Sequence, residues 1–235
     1  MKQSLSPPGR RIDLLDGWRT LAIVLMMVYH FLYDLYIFGV LSAGQLFSTP
    51  LNLLERFICS SFIFLAGISA RLSRSNLRHG VEVLLAGLVV ELGAAVAGQT
   101  IRWGVLMLLG SSMLLWHFLG GALGKLNGGV LAALSVLLFF LTRAWTAGRR
   151  VEVRFLYPLG LPCRGFVSAD YFPLLPWFFL FLLGAAAGGW VLTHREALAR
   201  VRLPAWWTWP GRHSLLLYLL HQPVLYGLSW LVWGR

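Results

Sequence analysis

The chain has 235 residues, 58% of them hydrophobic and only 12% charged, with a formal net charge of +11. Soluble domains average about 25% charged residues, and here the apolar residues gather in runs near the length a helix needs to cross about 30 Å of hydrocarbon. An ordinary soluble enzyme is excluded. So is a nucleic-acid binder, because the arginines sit at the ends of apolar segments and form no basic stripe interleaved with aromatics.

Apolar runs and their charged or Pro/Gly boundaries predict an all-α fold, one polytopic transmembrane helix bundle over residues 1–235. The seven spans fall near 17–39, 51–70, 79–97, 103–123, 128–145, 172–192 and 213–233. The first apolar run is too long for a cleaved signal and lacks a small-residue cleavage pattern. Basic residues orient the bundle. With the N-terminus cytoplasmic, Lys2, Arg10, Arg11, Arg19, Arg71, Arg74, Arg78, Lys125, Arg195, Arg200, Arg202 and Arg212 lie inside, twelve of the 20 basic residues. Arg143, Arg149, Arg150, Arg154 and Arg164 crowd the longest outside link, near Thr146 to Tyr171. A long loop tolerates such charge; a ligand-related role for it, or a span count off by one, are the alternatives. Trp206, Trp207 and Trp209 read as an interfacial loop. There is no internal repeat, which argues against an inverted-repeat transporter.

The first span holds Arg19 at its entrance, His30 near its middle and Asp34 one turn on. Ionisable groups in hydrocarbon are costly, by about 2.5–3.5 kcal/mol for a charge, and mark functional candidates. Arg19 and His30 lie close to three whole turns apart, on one stripe and roughly 16 Å apart along the axis. Arg19 is a snorkelling anchor or a ligand group. His30 is a structural hydrogen-bonded imidazole or a base. Asp34 at i+4 either orients His30, the arrangement a general base needs, or is solvated at an interface.

In the third span Glu82 and Glu91 fall on nearly opposite faces, so they are no carboxylate pair. Glu91 is the deeper one and a candidate charge partner. His117, late in the fourth span, reads as structural. Asp170 precedes the Pro-containing entry of the sixth span, where it caps a helix or bonds a ligand hydroxyl. In the last span Ser214, Tyr218 and His221 share one face, as interhelical glue or as a pocket wall. Cys59 and Cys163 show neither metal spacing nor a disulfide framework. No His-Glu-x-x-His motif, Gly-rich nucleotide loop or Ser-nucleophile elbow is present, and no metal is expected.

Arg11-Ile12-Asp13-Leu14-Leu15-Asp16-Gly17-Trp18-Arg19, the stretch His30 to Leu35, the segment Asp170–Trp177 and the run Gly211-Arg212-His213-Ser214 through Tyr218 to His221-Gln222-Pro223 together resemble the bacterial DUF1624 proteins. That family is grouped with the catalytic domain of heparan-alpha-glucosaminide N-acetyltransferase. The Arg-x10-His spacing and the Ser-x-x-x-Tyr-Leu-x-His-x-Pro pattern are also similar to the membrane acyltransferase-3 proteins. Met107 departs from the pattern, standing where relatives are expected to carry His or Gln. The resemblance implies transfer of an acyl group, acetyl first of all, from cytoplasmic acetyl-CoA or another acyl-CoA to a sugar hydroxyl or amine, in a bacterial inner (plasma) membrane.

The roles that follow put Arg19 on donor phosphates or pantetheine, whose geometry a guanidinium matches. His30 becomes the base or, alternatively, an acyl carrier, and Asp34 its orienting group. Ser214, Tyr218, His221, Asp170 and Glu91 line the pocket, with Tyr218 and His221 available to an oxyanion. Partners are membrane lipid, a small-molecule acyl donor and a glycan-like acceptor; a homo-oligomer is compatible with the bundle. The rival functions are a transporter or channel for a small anion or glycan intermediate, whose path polar residues also mark, and a non-catalytic membrane scaffold.

Overall fold

The computed structural model describes residues 11–234. Lys2 and Arg10, which enter the orientation count, lie outside the described residues. In chain order the elements are α1 (Asp13–Ile37), α2 (Ala43–Leu46), α3 (Thr49–Leu72), α4 (Asn76–Val96), α5 (Val105–Leu123), α6 (Gly128–Thr146), a 3-10 helix (Arg154–Leu159), α7 (Leu174–Thr193), α8 (Arg195–Leu198), α9 (Ala205–Arg212) and α10 (Ser214–Trp233). Seven of them, α1, α3, α4, α5, α6, α7 and α10, are long and apolar enough to cross a membrane. They match the seven expected spans one for one. In hydrocarbon each backbone N–H and C=O must be satisfied within its own helix, so local apolarity and element type coincide.

Two differences from the expected boundaries have physical causes. Helix α1 begins at Asp13, before the apolar run, because Asp13 and Asp16 in its first turn suit the positive end of the helix dipole. The tryptophan-rich stretch is not a loop but the short helix α9, which packs along α1. It buries Thr208 and Gly211 and turns Trp206 and Trp209 outward. Thr20 ties the two helices, donating from Oγ1 to the Trp207 carbonyl at 2.6 Å and accepting from the Gly211 N–H at 2.9 Å. Any side chain at Gly211 would strike the Asp16 carbonyl.

Helix α7 is the hub. It packs against α3 and α6, while α4 lies on α5 and α1 on α3 and α10. The α3–α7 contact is backbone against backbone: a Cβ on Gly67 would meet the Phe181 carbonyl, and one on Gly184 the Phe64 carbonyl. Small residues are the usual means of close helix approach where lipid tails supply no hydrophobic drive. The core around this seam includes fully buried Ile63, Leu108 and Phe181. Val89, Leu137 and Phe140 face outward, as lipid-facing positions should.

The link from α6 to α7 is folded down, not free. Val151 and Cys163 form a bridge, and the Tyr171 hydroxyl donates to the Tyr157 carbonyl at 2.6 Å. Phe166 stacks on Tyr157 with centroids 5.3 Å apart. The link is stitched to the α4–α5 loop by Ala169 N–H to the Thr100 carbonyl at 2.9 Å and Phe172 N–H to the Trp103 carbonyl at 3.0 Å.

Candidate functional site

At the end of the bundle where α1 begins, two carboxylates are surrounded by four guanidiniums. Asp16 receives Arg19 Nη1 at 2.7 Å, Arg212 Nε at 3.3 Å and Arg11 Nε at 3.7 Å. Asp13 receives Arg212 Nη2 at 3.2 Å and Arg202 Nη1 at 3.4 Å. The carboxylates are buried, at 5% side-chain exposure or less, while Arg11 and Arg202 are half exposed or more. Arg19 also donates to the Ser69 hydroxyl on α3. So the guanidinium singled out for a ligand is already held by protein on two sides. Four positive groups against two negative ones leave an excess of two positive charges, facing the exposed arginines.

The second assembly lies deeper. His30 of α1 and His221 of α10 meet edge to face, ring centroids 4.7 Å apart. Each imidazole places Nδ1 on a carbonyl of its own helix, His30 on Met26 at 3.0 Å and His221 on Tyr218 at 2.6 Å. A carbonyl only accepts, so Nδ1 carries the proton in both rings. In a neutral ring Nε2 is then left as a lone-pair acceptor. His221 Nε2 is buried and has no hydrogen-bond partner. With its one N–H used on the Tyr218 carbonyl, the neutral His221 ring presents a lone pair at Nε2.

Asp34 does not take the place expected of it. It is fully buried, and its Oδ1 accepts from Gln222 Nε2 of α10 at 2.8 Å. His30 Nδ1 is occupied by the Met26 carbonyl instead. Helical spacing would let Asp34 lean back toward His30, but Gln222, next to His221 on α10, offers it an N–H donor while His30 Nδ1 is already taken by the Met26 carbonyl. Asp34 thus locks α1 to α10 beside the imidazole pair and does not orient His30 by a direct bond.

The third assembly joins Asp170 and Glu91. Asp170 does cap a helix, but α5 and not its own α7: its Oδ2 accepts from Val105 N–H at 3.1 Å. Glu91 Oε1 accepts from Trp103 N–H at 2.6 Å and Gly104 N–H at 3.4 Å. The N-terminus of α5 is thereby closed by two carboxylates, which its dipole favours. Beside them is a cleft of about 10 Å³, room for about one water, lined among others by Met107, Asp170, Glu91 and Tyr218. Met107, where the resemblance implies His or Gln, stands in the wall of this cleft. Burial pushes the Asp170 carboxyl up to about 6; the Val105 N–H opposes the shift, and the nearby negative charges of Glu55 and Glu91 add to it.

Tyr218 connects the assemblies. Its ring lies 5.5 Å from that of His221 and its side chain lines the Asp170 cleft. His30, His221, Tyr218, Asp170 and Glu91 are therefore brought into one region. Ser214 is not: it opens α10 one turn before Tyr218, toward the arginine end. Glu82 pairs with Arg78 at 2.7 Å on the surface of α4. Among the described residues no group of three His, Cys, Asp or Glu side chains is placed to hold a metal, and both cysteines are free.

Sequence reasoning passed over Asp13, Asp16 and Gln222, and also Glu55, which accepts from the Tyr29 hydroxyl at 3.4 Å. Glu55 carried a usable signal, being an ionisable residue within an expected span. Asp13 and Asp16 stand just before their span, where acidic residues read as ordinary helix-start chemistry.

By class this is a helical membrane bundle with paired imidazoles between its spans and an arginine-rich end. Residues 11–223 match the family model "Heparan-alpha-glucosaminide N-acetyltransferase, catalytic". This covers most of the chain, and the chain belongs to that family. No curated protein and no solved structure matches it. Family and bundle together support an enzyme of the membrane acyltransferase kind, with an acyl-CoA co-substrate in general terms.

Proposed function

We propose that the protein transfers an acyl group, acetyl in the first instance, from acyl-CoA at the arginine-rich end to a sugar hydroxyl or amine reaching the imidazole pair. The observation that carries this reading is the His30–His221 pair with both Nδ1 atoms committed to carbonyls. Nε2 of one ring takes the proton of the acceptor O–H or N–H as that atom attacks the thioester carbonyl. The tetrahedral oxyanion lies within reach of the Tyr218 hydroxyl. Its collapse breaks the C–S bond, and the imidazolium returns the proton to the leaving thiolate as CoA-SH. His30 and His221 serve this step, and Asp34 holds their helices in register through Gln222.

The donor's phosphates are placed at the arginine cluster, where an excess of two positive charges remains after Asp13 and Asp16 are counted. Arg11, Arg202 and Arg212 offer guanidinium surface there, and Arg19 fixes the inner edge. With the N-terminus cytoplasmic, as the basic residues direct, this end faces cytoplasmic acyl-CoA in a bacterial inner membrane. The helical rise from Arg19 to His30, about 16 Å, lets an extended pantetheine arm reach from one to the other. The cleft beside Asp170 and Glu91 is the acceptor's side. At about 10 Å³ it holds a water and not a sugar, so turnover requires the stitched loops above it to part.

The test is acyl transfer by purified protein in lipid, with CoA binding measured alongside by calorimetry. The His30→Ala and His221→Ala variants are expected to bind CoA normally and to lose transfer. Full transfer by both variants overturns the reading. Uptake of an anion into proteoliposomes without any donor, abolished by Arg19→Ala, replaces it with the transporter.

A further inference from the structure

A second cavity lies apart from the imidazoles, in the wall of the bundle. Helices α3 and α6 both rest on α7 but barely touch each other. The gap between them is a groove of about 730 Å³, the size range of small-molecule pockets. Its deep wall is apolar, from Phe64 on α3, Ala132 on α6 and Leu183 on α7. Its mouth is at the basic end of the bundle, where Arg71, Gly128 and Thr193 lie. Phe64 and Arg71 are seven residues apart on α3, so the groove runs about 10 Å along the helix axis.

One charge stands in this wall. Arg71 lies over the Trp116 ring, 5.7 Å from its centroid, and donates from Nη2 to the Gly124 carbonyl at 2.8 Å. Among the described residues no carboxylate pairs with it, and no acidic side chain lines the groove. Its Nε faces the groove floor, 4.0 Å from where a Cβ on Gly189 would stand. Lys125, in the α5–α6 turn at the mouth, adds a second positive charge. The site is therefore a fixed guanidinium at the entrance of an apolar slot, opening at the level where phospholipid headgroups begin. Basic pockets between spans are the usual receptors for anionic headgroups.

We propose that this groove binds one anionic phospholipid of the adjoining leaflet, its acyl chain wedged between α3 and α6 and its phosphate on Arg71. A lipid so placed fills the space that α3 and α6 leave open and makes the α6–α7 pair part of one packed body. The proposal does not depend on acyl transfer, and its test uses no acyl donor.

The test is native mass spectrometry of the delipidated full chain, titrated with phosphatidylglycerol or phosphatidylcholine of identical chains. The expected result is one tightly bound phosphatidylglycerol, held at least tenfold more tightly than phosphatidylcholine, with no displacement by inorganic phosphate. Arg71→Gln is expected to remove the preference. Cβ atoms on Gly128 and Gly189 meet nothing nearer than 3.9 and 4.0 Å, so Gly128→Leu with Gly189→Leu obstructs the slot beside Arg71 while keeping the guanidinium. That double variant is expected to lose binding of both lipids, and it decides the matter if Arg71→Gln does not fold. Equal affinity for the two lipids in the wild type, or undiminished binding by the leucine-filled variant, overturns the proposal. So does a dimer that the leucine pair breaks, which would assign the groove to a second copy of the chain.

Discussion

The two polar assemblies of α1 are built on opposite electrostatic plans. At its start, Asp13 and Asp16 are buried but neutralised, each by guanidiniums that reach the surface. Some seventeen residues further on, His30 and His221 are held by backbone carbonyls, and His221 Nε2 is left with no partner at all. Saturated polar groups hold a structure together. A buried acceptor left open costs desolvation without return, and such groups persist where chemistry uses them. The difference separates two environments in one helix: carboxylates saturated by guanidiniums at its start, and buried groups left partly open, His221 Nε2 and Asp34 Oδ2 among them, at the imidazole pair.

The comparison breaks most visibly at the imidazoles. His30→Ala and His221→Ala are each expected to lower acyl transfer about 10²- to 10⁴-fold, the range for a lost general base, with the thermal midpoint of the detergent-purified protein little changed. A large drop in midpoint with transfer retained would reverse the assignment of roles. At the other end Asp16→Ala leaves Arg19 and Arg212 without a shared carboxylate. Breaking buried ion pairs costs about 3–5 kcal/mol, and the partial exposure of these arginines puts the expected loss at about 3 kcal/mol, read as a lowered unfolding midpoint.

Smaller effects sharpen the picture at the α5 cap. Glu91→Ala removes the acceptor for Trp103 and Gly104 N–H and is expected to cost about 1 kcal/mol, as lost helix caps do. Asp170→Asn keeps an acceptor for Val105 N–H but removes a titration. The folded carboxyl is raised to about 6 from an ordinary value of 3.8. The stability that its neutral form contributes is thus fully present below about pH 3.8 and is lost as pH rises through about 6. Asparagine is neutral throughout. The variant's midpoint is therefore expected to match wild type near pH 4 and to exceed it at pH 7.5. Equal midpoints at both pH values would show that Asp170 does not titrate near 6.

How far the candidate site could be read in advance depends on the range of the forces involved. His30, His221, Tyr218, Asp170 and Glu91 are each visible as polar groups in or beside apolar runs. Their convergence is not visible, because it joins residues as far apart as Asp34 and Gln222, 188 positions along the chain. Asp34 shows the consequence. Helical spacing pairs it with His30, yet the bond it makes is to a helix that spacing says nothing about. Asp170 was legible as a cap, but the helix it caps, α5, begins 65 residues earlier.

The sequence by itself determined the seven spans, the helical class and the basic end of the bundle. Those properties follow from hydrocarbon thickness and from backbone bonding that each helix completes alone. The tertiary structure decided which imidazoles meet, which carboxylates neutralise Arg19 and Arg212, and where α3 and α6 part to leave a groove. Between helices surrounded by lipid the hydrophobic effect makes no choice of neighbour. Close packing at Gly67 and Gly184 and side-chain hydrogen bonds make it instead, and those are properties of surfaces that exist only once the helices have come together.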